Sequence, residues 1–94
     1  MFARVVRFTD VTPERIEEIV KRVEESDGPP EGVPSVGLQL IVDGSQGTAV
    51  FVGLFETEEK MRAGAAALEA MDSSETPGTR ASVDMGELKV ERRL

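Results

Sequence analysis

The strongest constraint on the fold is that the two halves of this chain repeat one order of elements. In each half an apolar segment ends in a phenylalanine, and a threonine then opens a segment with a helical apolar period: Phe8 and Thr12, then Phe55 and Thr57. In both segments the first apolar core position falls four residues after the threonine, and another follows seven residues later. The sequence therefore predicts a strand, a helix and a strand, followed by a second such unit.

The predicted elements fill the 94 residues as a single domain, residues 1–94. Strands are expected at residues 2–8, 35–42, 48–55 and 81–92. Thr12 is a good N-cap, and Pro13 suits the first position of the helix that follows. A doubled βαβ unit of this kind is typical of a ferredoxin-like α+β sandwich, in which a four-stranded antiparallel sheet carries two helices on one face.

The composition excludes several kinds of chemistry. The chain has no Cys, His, Trp or Tyr, and its sequence contains no asparagine. A disulfide, a thiolate nucleophile and the usual histidine base or metal ligand are therefore ruled out. Loop carboxylates at Glu31, Asp72 and Glu75 match no calcium-binding loop, so we expect no metal site and no cofactor.

The charge balance also limits the partners. The chain carries 11 Lys and Arg against 18 Asp and Glu, a net charge of −7. Such a chain repels phosphate backbones and anionic membrane surfaces, so we expect no nucleic-acid or membrane partner. No stretch approaches the length of a membrane span, and Arg4 and Arg7 interrupt the apolar N-terminal run, which therefore does not resemble a signal peptide. The expected location is the cytoplasm.

The strands predict a homodimer, because both faces of the sheet are apolar and two helices cover only one. The uniformly aliphatic faces, such as Val50, Val52 and Leu54, are expected under the helices. The mixed faces are expected to meet a partner or line a cavity; they carry Phe2, Arg4, Val6, Phe8, Gln39, Phe51, Gly53 and Phe55. In the last strand the apolar phase slips after Met85, which indicates a bulge near Gly86 or a strand that leaves its own sheet.

The order of elements, the N-terminal segment FARVV (residues 2–6) and the segment LFETEE (residues 54–59) resemble the dimeric α+β barrel superfamily. This superfamily includes antibiotic-biosynthesis-monooxygenase-like proteins and uncharacterised actinobacterial-type members. The resemblance implies a homodimer of two face-to-face sheets, with room for a small hydrophobic ligand in the barrel or between sheet and helices. Its cofactor-free oxygenases use a tryptophan, an asparagine and an arginine, and its haem-degrading members use a histidine. Of these residues, only the arginine could have a counterpart in this chain, at Arg4.

Five residues are candidates for ligand binding: Arg4, Gln39, Phe51, Phe55 and Asp84. Arg4 would bind a carboxylate or enolate bidentately, or else form an ion pair with Asp84 or Glu87. Gln39 would recognise a polar ligand group or bond across the interface, and the phenylalanines would wall an apolar pocket or simply fill the core. Asp84 and Glu87 would act as an acid–base pair only if a bulge brought them to one face.

Three functional classes follow. The first, which we favour, is a small homodimeric α+β barrel protein that binds a small hydrophobic or aromatic ligand between its sheet and its partner. The second is a cofactor-free monooxygenase or isomerase of the antibiotic-biosynthesis type, with Arg4 stabilising an anion. The third is a non-catalytic interaction or regulatory module. The sequence leaves open whether the chain is an enzyme.

Overall fold

The computed structural model describes residues 1–30, 32–70 and 77–94, and these contain the expected strands and helices in the expected order. The elements are β1 (Phe2–Thr9), α1 (Pro13–Glu25), β2 (Gly37–Asp43), β3 (Thr48–Phe55), α2 (Glu58–Glu69) and β4 (Thr79–Glu87). The strands form one antiparallel sheet in the order β2-β3-β1-β4. This is the ferredoxin-like α+β sandwich that the sequence predicts.

Both helices begin where the sequence places them. The side-chain oxygen of Thr12 accepts a hydrogen bond from the backbone N–H of Arg15 at 3.2 Å, and that of Thr57 accepts from Lys60 at 3.1 Å. These bonds satisfy backbone donors that have no partner inside the helix. Within the part of the chain that the structure describes, no helix has the length and apolar character needed to cross a membrane.

The face assignment predicted for the phenylalanines is wrong: they lie on the face that the helices cover. Val6 is in register with Phe51, and Phe2 with Phe55. Phe8 meets Phe51 edge to face, with ring centroids 5.7 Å apart. The helix side accepts these large rings because the residues packed on them from α2 are small or flexible, and full burial of a ring contributes more than burial of a valine.

The aliphatic residues of β3 form the opposite, outer face of the sheet. Val50 and Val52 are half-buried there, and Gln39 is in register with Val52. Of the predicted face assignments, only that of β2 is confirmed. Leu38 and Leu40 lie on the helix side, opposite Gly53 and Phe51. The outer face is therefore apolar, although it lacks the phenylalanines expected on it.

The predicted bulge lies elsewhere in β4. Gly86 pairs regularly with Ala3, whereas the register shifts between Arg7 and Phe8, whose partners are Ser82 and Arg80. The additional residue is thus Ala81. The strand ends at Glu87, well before the predicted end at residue 92.

Close packing around Phe55 holds α2 against the sheet. A Cβ atom at Gly64 would lie 2.6 Å from Cε1 of Phe55, and one at Gly53 would lie 3.3 Å from its Cε2. The ring therefore fits between a strand and a helix that both lack a side chain at this point. Phe55 and Met61 are each only 1% exposed, so nothing nearby is free to move aside. The absence of a side chain at Gly64 therefore allows close approach of α2 to the sheet.

We expect Gly64→Ala to lower the free energy of unfolding. Overpacking a tight core costs about 1–3 kcal/mol, which exceeds the roughly 1 kcal/mol of helix propensity gained on replacing glycine with alanine. Urea unfolding followed by circular dichroism measures the change. Ala66→Ser, which adds one atom at an exposed position of the same helix, is the control and should change stability little. A Gly64→Ala protein as stable as the wild type would show that the Phe55 contact is not limiting.

Candidate functional site

A cleft of about 900 Å³ opens on the helix side of the sheet, between β1 and β3 on one side and α1 with the connection before β2 on the other. Its size is in the usual range for sites that bind small molecules. Most of its surface is apolar, and its apolar side chains include Phe8, Ile19, Val23, Leu38, Phe51 and Leu68. The cleft exists because α1 reaches the sheet mainly through the cluster around Ile19 and leaves Leu38 half-exposed.

Arg4 contributes the most deeply buried charge in this cleft. It projects from β1 opposite Gly53 and is only 8% exposed. Its Nη2 donates a hydrogen bond to Oε1 of Glu69 at 3.1 Å. Its Nε is buried and finds no acceptor among the residues that the structure describes. Leaving a buried donor without an acceptor costs about 1–3 kcal/mol, so Arg4 is a poor choice for stability alone.

The ion pair expected between Arg4 and Asp84 or Glu87 is wrong. Asp84 is in register with Val5, so its side chain lies on the outer face, away from Arg4. Glu87 is on the helix side but forms an ion pair with Lys89 at 2.7 Å. The partner that the sequence did not reveal is Glu69, the last residue of α2.

Glu69 bridges two arginines. The same oxygen, Oε1, accepts hydrogen bonds from Arg4 and from Nη1 of Arg80. Arg80 is the second residue of β4 and lies on the helix side of the sheet. The hydrogen bond from Arg80 is the largest influence that lowers the pKa of the Glu69 carboxyl, and Arg4 adds to it. Burial lowers the pKa of the Arg4 guanidinium, while the charge of Glu69 opposes that shift. Glu69 is ionised at neutral pH, since its pKa is lowered from an already acidic value.

The structure brings together three of the five candidate residues. Arg4, Phe51 and Phe55 line the cleft. Gln39 and Asp84 lie on the outer face, exposed, on opposite sides of the sheet centre. Asp84 and Glu87 occupy opposite faces of β4, because the bulge that would have brought them to one face lies before Asp84.

Glu69 and Arg80 are the site residues that sequence analysis missed. They come from the end of a helix and the start of a strand, so no spacing within one element marks them. The described residues contain no group of three acidic, histidine or cysteine side chains that would hold a metal ion. The loop carboxylates considered above, Glu31, Asp72 and Glu75, lie outside the described residues.

The described strands and helices form a ferredoxin-like α+β sandwich with a cleft on the helix side of its sheet. One solved structure with this fold is a mutant of MhuD with two manganese protoporphyrin IX molecules bound per active site. It aligns over 99% of both chains with a TM-score of 0.65 and 19% sequence identity. At this identity the likeness supports the α+β fold of the single chain alone. No protein-family model matches the chain, and no curated protein matches it.

The cleft of this chain does not fit a haem iron. The usual axial ligands are histidine, cysteine, tyrosine and methionine, and the sequence has none of the first three. Met61 is buried in the core against Phe55, and the described cleft lining includes no methionine. The porphyrin in the MhuD structure is a ligand of that protein and supplies no chemistry for this chain.

We expect Glu69→Gln to lower the melting temperature at neutral pH, because it removes the anion that compensates Arg4 and Arg80. The pKa of Glu69 is lowered by folding, so its contribution is complete above the unfolded value and is lost as the pH falls through the folded value. The difference in melting temperature between the two proteins should therefore shrink to nothing in acid. Calorimetric scans across pH measure it, and a difference independent of pH would contradict the bridge.

Proposed function

We propose that this protein binds a small apolar or aromatic molecule in the cleft between its sheet and its helices, and that it does so as a homodimer. The observation that carries the proposal is the cleft itself, with apolar walls and one buried guanidinium at its floor. This combination is typical of small-molecule sites, where apolar area supplies affinity and a few polar groups supply orientation. The proposal concerns binding and specifies no reaction.

The position of the cleft differs from the one favoured by the sequence, which was between sheet and partner. The phenylalanines and Arg4 lie on the helix side of the sheet and not on the predicted face, so the candidate pocket lies on the helix side as well. Leu38 at the rim is 51% exposed and Val36 is 52% exposed, so apolar surface is available to a ligand there. Burial of this exposed apolar surface against a ligand is favourable by about 25 cal/mol for each Å² that the ligand covers.

The outer face of the sheet supports the homodimer. Val5, Val50, Val52 and Leu54 are half-buried there, and Ile41 is 59% exposed. Both described helices pack on the other side, so neither of them covers this face. A contiguous apolar sheet face is typical of an interface, and a second copy offers a surface of matching shape by symmetry.

Binding of a neutral apolar probe tests the cleft. We expect N-phenyl-1-naphthylamine to bind with enhanced fluorescence, and Leu38→Glu to weaken this binding roughly tenfold, because burying one leucine against a ligand is worth about 1.5–3 kcal/mol and the charge must be desolvated. The chain has no tryptophan or tyrosine, so its own fluorescence does not interfere.

Val42→Glu is the matched control for this measurement. Val42 lies on the same strand and the same face as Leu38 but does not line the cleft, and it is 38% exposed. The control should bind the probe as the wild type does. No binding to the wild type, or equal losses in both variants, would contradict a ligand site in the cleft.

The homodimer is tested by two substitutions at neighbouring positions of β2. Ile41 projects from the outer face and Val42 from the helix side. We expect the wild type to be a dimer at micromolar concentration by light scattering, and Ile41→Glu to raise the dimer dissociation constant at least roughly tenfold by burying a charge in the interface. Val42→Glu should remain dimeric. A monomeric wild type would rule out the face-to-face barrel.

A further inference from the structure

The bridge of Arg4, Glu69 and Arg80 leads to a more specific statement about the ligand. We propose that the cleft binds an apolar monocarboxylic acid, and that its carboxylate replaces the Glu69 carboxylate on Arg4 and Arg80. This inference rests on the proposed function, because it assigns a ligand class to the same cleft. In the ligand-free protein, Glu69 then occupies the anion site from within the chain.

The first reason is that Glu69 leaves the two arginines only partly satisfied. Both guanidinium groups reach the same oxygen, Oε1, and Nε of Arg4 stays without an acceptor among the described residues. Guanidinium groups bind carboxylates best when both oxygens are engaged in parallel hydrogen bonds. A free carboxylate, not tethered to a helix, can give each arginine its own oxygen.

The second reason is that Glu69 is easily displaced. Its side chain is 48% exposed, so it can turn into water without losing a packed environment. It is also the last residue of α2, and the last turn of that helix contains no basic residue. A carboxylate at this end of a helix is repelled by the helix dipole. The arginines therefore hold Glu69 against an unfavourable local field.

The third reason is the charge distribution. Among the described residues that line the cleft are four of the chain's 11 basic residues, Arg4, Arg15, Arg22 and Arg80. Asp27 alone of the 18 acidic residues of the chain is found in this described lining. The lining is therefore more basic than the chain as a whole, whose net charge is −7, even though Arg15 is paired with Glu18. With Glu69 turned away, such a lining attracts an anion.

The body of the ligand is apolar because the walls beyond the arginines are apolar. Phe51 and Leu38 are exposed toward the cleft from the sheet, and Ile19 and Val23 face them from α1. A molecule with its carboxylate at Arg4 would place its hydrocarbon part between these side chains. A flat aromatic ring and a short aliphatic chain both meet this description, and they share the carboxylate on which the proposal depends.

The test compares two probes of nearly the same shape, 2-naphthoate and its neutral amide 2-naphthamide, by isothermal titration calorimetry. We expect Glu69→Gln to tighten 2-naphthoate binding roughly three- to tenfold, because an exposed competing carboxylate is removed from two arginines. The affinity for 2-naphthamide should stay unchanged. Glu59→Gln, the same charge change at an exposed position of the same helix, should alter the binding of either probe less than twofold.

Removing a cation should have the opposite effect. Arg4→Gln should weaken 2-naphthoate binding more than roughly tenfold and spare 2-naphthamide. Should the buried position not tolerate glutamine, Arg80→Gln makes the same test at a half-exposed residue. Comparing the affinity for decanoate with that for 2-naphthoate shows whether the cleft prefers a ligand with an aliphatic or an aromatic hydrocarbon part.

The outcomes separate this inference from the proposed function. If both naphthalene probes bind equally and Glu69→Gln changes neither, the carboxylate site is overturned while the apolar cleft stands. If Glu69→Gln weakens 2-naphthoate binding, displacement is likewise overturned. If neither these probes nor N-phenyl-1-naphthylamine binds, the proposed function fails as well.

Discussion

The placement of the Phe55 ring between Gly53 and Gly64 is the constraint on which the rest of the structure depends. It brings α2 into close contact with the sheet and turns the phenylalanines of β1 and β3 toward the helices. Because the phenylalanines face the helices, the aliphatic residues of β3 face outward, since successive side chains of a strand point to opposite faces of the sheet. The cleft under α1 and the apolar outer face are both consequences of this single packing choice.

Arg4 costs stability where it lies, because its guanidinium is removed from water and only partly compensated. Gly53 stands opposite it and lines the cleft, with the Phe55 ring packed against its backbone. Buried charges of this kind rarely increase stability over an apolar residue of similar size. The buried position of Arg4 is explained if its charge binds a ligand and Glu69 compensates that charge while no ligand is bound.

The sequence was sufficient for the order of elements and for both N-caps, because each depends on short-range rules. It was insufficient to predict which face of the sheet the helices cover. β3 has apolar residues on both faces, so its sequence does not indicate which face packs against the helices. The pairing of Arg4 was missed for a different reason: Glu69 and Arg80 reach it through the packing of α2 and a bulge at Ala81.

A crystal structure of the protein with 2-naphthoate tests the central claim most directly, which is that the helix side of the sheet holds the ligand and the outer face holds the partner. The account predicts the naphthalene ring against Phe51 and Leu38, its carboxylate on Arg4, and Glu69 turned into solvent. It also predicts a second copy against Val52. A naphthalene ring on the outer face, or a cleft closed by α1, would contradict the account.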